Sequence, residues 1–233
     1  MDTGDSALIK LTDVTFAYPG AEFVLKDLNF TLSRTDRVGL IGPNGSGKST
    51  LLMIIEGLLK PASGAVEIFG QVRKTEKDYY FVRERVGFLF QNPDDQLFCP
   101  TVAEDVAFGP LNLGKSGDEA MEIVRETLDM LELAGFENRV THKLSGGEKR
   151  LISLATVLAM KPEILLLDEP ISGLDEATAQ KITKILADLP QPRIVVSHDR
   201  EFLQKVTNSL RYIMNGRIEC DSHADRFTVN SSK

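Results

Sequence analysis

Apolar and polar positions follow three patterns along the chain. Near the N-terminus, Ala7–Tyr18 and Val24–Leu32 have β character and flank the turn-forming pair Pro19-Gly20. A third such segment, Ala65–Gly70, follows Pro61-Ala62-Ser63-Gly64. These three read as antiparallel strands with a polar edge. Val38–Ile41, Val86–Phe90, Ile164–Leu167 and Ile194–Val196 are short, continuously apolar and followed by polar residues. That pattern predicts buried parallel strands with functional groups at their carboxyl ends. Helical periodicity lies between them. Met121, Val124, Leu128 and Leu131 share one face. A helix from about Ser145 stops before Pro162, and another after Asp175 carries Ile182, Ile185, Leu186 and Leu189 and ends at Pro190.

The chain is therefore α/β, with a largely helical insertion at about 92–160 and a polar tail from residue 221. It contains no internal repeat and no low-complexity linker. With 233 residues, 42% apolar and 26% charged, it can bury a sizeable core without staples. Cys99 and Cys220 are too far apart in sequence to suggest a disulfide framework or a thiolate metal site, which favours a reducing, cytoplasmic compartment. Twenty-seven basic against 34 acidic side chains leave a net charge of −7, which argues against nucleic acid as a partner. The run Leu51–Leu59 is too short to span a membrane and is broken by Glu56; no signal peptide or lipidation motif is evident.

Gly42-Pro43-Asn44-Gly45-Ser46-Gly47-Lys48-Ser49 satisfies G-x-x-x-x-G-K-[ST] between an apolar strand and the helical run Ser49–Leu59. Glycines let backbone N–H groups converge on phosphate oxygens, and the following helix aims its positive end at the same anion. Lys48 supplies a charge for the β and γ phosphates, and the Ser49 hydroxyl is placed for Mg²⁺. Asp168 and Glu169 end the next apolar strand, where paired carboxylates cost desolvation energy unless a cation or a reaction needs them. Asp168 reads as the Mg²⁺ partner and Glu169 as the base for an attacking water.

Leu144-Ser145-Gly146-Gly147-Glu148, about twenty residues before those acids, resembles the signature of ATP-binding-cassette (ABC) ATPases. The resemblance covers about residues 8–220 and implies several roles. Tyr18 looks like the aromatic that stacks on adenine, Thr50 extends the phosphate loop, and Gln91 looks like the lid glutamine that also reaches Mg²⁺. Ser172-Gly173-Leu174-Asp175 looks like the D-loop, and His198 like the switch histidine. It implies one domain, 1–233, with a phosphate-loop NTPase core and antiparallel β part at about 1–91 and 161–220, and a helical subdomain at about 92–160. Ser145, Gly146 and Gly147 would cover ATP bound to a second ABC ATPase subunit, in a homodimer or heterodimer joined head to tail.

Gln91-Asn92-Pro93-Asp94-Asp95-Gln96-Leu97-Phe98 and Thr101–Pro110 resemble the ATPases of energy-coupling-factor importers, especially those for cobalt and nickel. Ile171 and Glu176 depart from the family's usual threonine and proline without removing a catalytic group. The expected function is a motor for uptake of a transition-metal ion or a vitamin. Its partners would be a multi-span membrane subunit docked near Gln91–Pro100 and a substrate-binding membrane subunit, which would hold it at the cytoplasmic face. The alternative is a soluble single-cassette clamp. Translation factors of that kind usually carry two cassettes, repair ATPases a long coiled coil, and a plain phosphate-loop kinase would not need Leu144–Glu148. Leu97 and Phe98 read either as a docking surface or as packing inside the insertion. His142 and His223 read as ordinary loop residues, Asp94 and Asp95 equally well as solvated, and Thr101 with Glu104 as a capping box.

Overall fold

The computed structural model describes residues 7–219; Cys220, His223 and the expected polar tail lie outside the described residues. In chain order the elements begin with β1 (Ile9–Ala17), β2 (Phe23–Leu32), β3 (Arg37–Ile41), α1 (Lys48–Glu56), β4 (Ser63–Ile68), β5 (Gln71–Val72) and α2 (Glu76–Arg83). Next come β6 (Val86–Leu89), α3 (Val102–Asn112), α4 (Gly117–Met130), α5 (Gly146–Leu158), β7 (Ile164–Asp168) and α6 (Glu176–Asp188). The last are β8 (Arg193–Val196), α7 (Arg200–Val206), β9 (Ser209–Met214) and β10 (Arg217–Glu219). Contacts group them into two compact units: residues up to Arg83 with those from Pro190 onward, and Glu84–Leu189.

In the first unit an antiparallel sheet has the order β2-β1-β4-β5. Alternation decides its faces: Ile9 and Leu11 of β1 and Leu28, Phe30 and Leu32 of β2 are buried, while Lys10 and Thr31 point outward. β3 runs parallel to both β8 and β9, and β10 closes antiparallel on β9. The β9–β10 turn is Asn215-Gly216 with φ 53° and 76°, the left-handed pair that a two-residue hairpin requires. Gly57, with φ 75°, caps α1 and stops it at Glu56, short of the expected Leu59.

In the second unit β6 and β7 pair in parallel, and every residue of both strands is buried. Both α3 and α4 begin with complete capping boxes, Thr101 with Glu104 and Ser116 with Glu119. The apolar face of α4 holds Ala120, Val124 and Leu128, continued by Leu131 just past its end. The α/β reading with a mainly parallel core therefore stands. The sequence pattern did not reveal α2, α7, β9 or β10, and it indicated α3 only through its cap.

Candidate functional site

In the first unit, β3 leads directly into the glycine-rich loop. Gly47 has φ 100°, and a Cβ there would lie 2.6 Å from Leu25 Cδ2, so both the turn and its seat on β2 require glycine. A Cβ on Gly42 would meet the Ile213 carbonyl oxygen at 2.2 Å. Lys48 is buried and folds back over the loop, with Nζ donating to the Gly42 oxygen at 2.8 Å and the Pro43 oxygen at 2.9 Å. Pro43, Asn44 and Gly45 are exposed, Ser49 is half-buried, and the buried Ser46 hydroxyl oxygen has no hydrogen-bond partner among the described residues. The N-terminus of α1 has no side-chain cap and no acid in its first turn, which leaves it electrostatically open to an anion.

Tyr18 is fastened beside this loop. Its hydroxyl shares a 3.2 Å hydrogen bond with Thr50, its ring meets Phe16 edge-on at 4.9 Å, and 41% of the residue stays exposed. The parallel register Leu40↔Val196 carries His198 to the same end of the strands as Gly42.

In the second unit the register Leu89↔Leu167 places Gln91 and Glu169 at the carboxyl ends of neighbouring strands. Asp168 and Glu169 are both buried, and Glu169 adopts φ 48°, a left-handed backbone that a non-glycine residue adopts only under constraint. Gln91 is exposed. Its backbone is held by Arg150 of α5, whose guanidinium donates to the Phe90 oxygen at 2.6 Å and also to the Gln91 oxygen. Gln96 Oε1 accepts from the Phe90 N–H at 3.2 Å, and its amide nitrogen donates to the Ser153 oxygen and the Thr156 hydroxyl at 2.9 and 2.7 Å.

The buried Asp105 carboxylate accepts from the Phe98 and Cys99 N–H groups at 3.0 and 2.9 Å and from the Thr141 hydroxyl at 2.9 Å. This shapes a groove of about 470 Å³ lined by Leu97, Phe98, Cys99, Pro100, His142 and Lys149. Burial, then the nearby Asp105, pushes the Cys99 thiol up to about 11. Leu97 packs inward, whereas Phe98 is 66% exposed, so the two apolar residues divide between the two sequence readings. Asp94 pairs with Lys149 at 2.6 Å and His142 is exposed.

Ser145 is the N-cap of α5. Its hydroxyl accepts from the Glu148 N–H, and the Glu148 carboxylate accepts from the Ser145 N–H at 2.8 Å and pairs with Arg139 at 2.9 Å. Those bonds, Ser145 foremost, hold the Glu148 carboxyl below the usual range. Gly146 and Gly147 are the first two helical residues, whose N–H groups have no carbonyl to bind within the helix. A Cβ on Gly147 would meet Thr178 Oγ1 at 3.2 Å and Asp175 Oδ2 at 3.6 Å, so the signature and the D-loop are neighbours. A Cβ on Gly146 would meet nothing within 4 Å. Asp175, expected at a ligand, spends its carboxylate capping α6, accepting from the Thr178 N–H and hydroxyl at 3.0 and 2.7 Å.

Beside the glycine-rich start of α1, the Ser-Gly-Gly start of α5 and the acids at the end of β7, the ABC transporter family profile matches residues 25–172. The chain belongs to the ABC transporter family. This ABC cassette is 49% identical over 222 residues to a putative ABC transporter ATP-binding protein of Nitratidesulfovibrio vulgaris, covering 95% of this chain and 81% of that one. It is 47% identical to the energy-coupling factor transporter ATP-binding protein EcfA of Methanothermobacter thermautotrophicus, covering 91% and 69%. Among solved structures, cbiO1 of Clostridium perfringens, part of the ABC transporter complex cbiONQ, aligns with TM-score 0.81 at 32% identity, covering 93% and 88%. The dimeric post-hydrolysis ATP-binding cassette MJ0796, bound to ADP and Pi, aligns with TM-score 0.84 at 32% identity, covering 91% and 96%. The cassette is thus an ATP-hydrolysing subunit of the transporter class, resembling those of energy-coupling-factor importers.

Sequence reasoning missed Arg150, Gln96 and Asp105, which shape the loops of the second unit. Arg150 had a signal: it shares a helix face with Leu154 and Val157, where an arginine in an apolar row marks a buried partner.

Proposed function

We propose that this cassette is the ATP-driven motor of an energy-coupling-factor importer, moving a transition-metal ion (cobalt or nickel) or a vitamin through separate membrane subunits. The observation that carries the reading is Gly146: the chain's own packing leaves its side-chain position open at the N-terminus of α5, where the capping box binds only the Ser145 and Glu148 N–H groups. A glycine unused by its own chain supports a ligand brought by a second cassette. Similarity to EcfA and cbiO1 supports the importer class.

In this reading the loop N–H groups, Ser46 and Lys48 hold the β and γ phosphates, Thr50 and Tyr18 border the base, and Tyr18 stacks on adenine. Ser49, Gln91 and Asp168 offer a hydroxyl, an amide and a carboxylate oxygen, the donor set a hard divalent cation takes. No cluster of three or more His, Cys, Asp or Glu that could hold a metal exists among the described residues, so Mg²⁺ would draw its other ligands from phosphate and water. When bound, Mg²⁺ supplies charge neutralisation for the phosphates. Glu169 accepts the proton of the attacking water, and His198 hydrogen-bonds the γ-phosphate. Ser145, Gly146, Gly147 and the Asp175 loop face the partner's nucleotide.

No helix among the described residues is long and apolar enough to cross a membrane. In this reading membrane subunits hold the cassette at the cytoplasmic face, one of them docking a helix in the Phe98 groove.

Glu169→Gln tests the pairing. The amide keeps shape but cannot accept a proton, so ATP should hold two chains closed, read as a dimer peak in size-exclusion chromatography with ATP. A variant that stays monomeric with nucleotide demonstrably bound would refute self-pairing.

A further inference from the structure

We infer that Arg150 is a positioning residue of the ATPase site: its guanidinium fixes the Gln91 loop to the helix that begins with the signature glycines. This rests on the roles proposed above for Gln91 and Glu169. Arg150 is 3% exposed, and the two carbonyls it binds, Phe90 and Gln91, belong to the residues just past β6. Its Nε is buried with no hydrogen-bond partner among the described residues. Burial pushes its pKa down, while the charges of Asp168 and Glu169 pull it back up. A single neutral donor could hold one of these carbonyls, whereas the guanidinium holds both at once, which offsets the cost of burying its charge.

The consequence is mechanical. The Phe90 backbone is held at both its polar groups by side chains that belong to or bind α5: its oxygen accepts from Arg150 and its N–H donates to Gln96, which is itself anchored on Ser153 and Thr156. Arg150 lies five residues past Ser145, about 7.5 Å along the helix axis. The helix that begins with the signature glycines therefore carries the Gln91 loop as one piece. Whatever grips the N-terminus of α5 repositions Gln91 and the groove-forming residues that follow it. The planar fork matters here because it binds two oxygens at fixed geometry, which an ammonium does not.

The test compares Arg150→Met, Arg150→Lys and Glu169→Gln in full-length protein, with ATP turnover, binding of a non-hydrolysable ATP analogue, melting temperature and amide hydrogen exchange over residues 91–100. The Met variant should lose kcat by about 100-fold, as small misplacements at a reacting centre do. Its KM for ATP should move less than about threefold, because the phosphate loop is untouched. The Lys variant restores charge but not the fork, so its kcat should fall between wild type and Met while exchange at 91–100 rises in both. Wild-type kcat in the Met variant would overturn the inference, as would losses that only track a reduced folded fraction. If the Met variant does not fold, the Lys variant decides: wild-type kcat with wild-type exchange at 91–100 would overturn the inference. Full turnover in Glu169→Gln would instead overturn the site assignment, whatever Arg150 does.

Discussion

Replacing Phe98 with alanine separates a docking residue from a core residue. Phe98 is 66% exposed and meets Phe108 edge-on at 4.9 Å, with Phe108 itself 48% exposed. A fully buried aromatic covers about 150–250 Å². With about a third of that covered here, truncation forfeits roughly 60–70 Å² within the chain. At about 25 cal/mol per Å² that is about 1.5 kcal/mol. For a chain of this length the melting point should then fall by about 3–6 °C. Were Phe98 core, the cost would be about 3–5 kcal/mol and the fall about 6–20 °C. An aromatic at the centre of such a docking groove contributes about 2 kcal/mol or more, so affinity for the solubilised membrane subunit should drop by about 30-fold. The assay pairs calorimetry and ATP turnover of the isolated cassette with a pull-down on the membrane subunit of its own transporter. A melting-point fall above about 10 °C, or unchanged affinity at unchanged stability, would refute the reasoning.

Lys48→Ala should lower Mg²⁺-dependent ATP turnover by about 100-fold or more, because the site loses the charge built for the phosphate oxygens; normal turnover would remove the phosphate-loop argument. Gly47→Ala forces a side chain into φ 100° and to within 2.6 Å of Leu25 Cδ2, so it should cost about 1–3 kcal/mol of stability and weaken ATP binding; an unchanged melting point would contradict the packing account. Burial raises the Glu56 carboxyl to about 8, so the folded state keeps a proton that the unfolded state loses near 4.5. Stability contributed by that proton is full at low pH and is lost as pH rises through about 8, at about 1.4 kcal/mol per unit. Glu56→Gln should therefore flatten the fall in urea midpoint between pH 5.5 and 8.5 and raise it at the upper end; parallel slopes for the two proteins would count against it.

Much of the candidate site's local geometry was legible because it is short-range. Phosphate binding needs consecutive N–H groups on a glycine-rich turn, so Gly42–Ser49 spells its own conformation. A strand ending in two acids and a helix opening on Ser-Gly-Gly are equally short-range. The Asn215-Gly216 hairpin was just as legible but went unread, since β9 alternates weakly, with Ile213 its only buried residue. α2 hid because only Tyr79 and Val82 of its eight residues are buried, too few to set a helical period.

What the sequence determined by itself was the order of elements around each motif and the local backbone of the glycine-rich loop, because neighbours in the chain supply that geometry. What only the tertiary structure decided were the supports drawn from distant positions. Arg150 clamps Phe90 and Gln91 across about sixty residues, Asp105 sets the groove through Thr141, and of the adjacent Leu97 and Phe98 one turns inward and the other outward. Charge and polarity along a sequence do not reveal which partner a side chain will meet. Burial makes that choice, because a polar group taken out of water must find its hydrogen bonds wherever the fold brings donors and acceptors together.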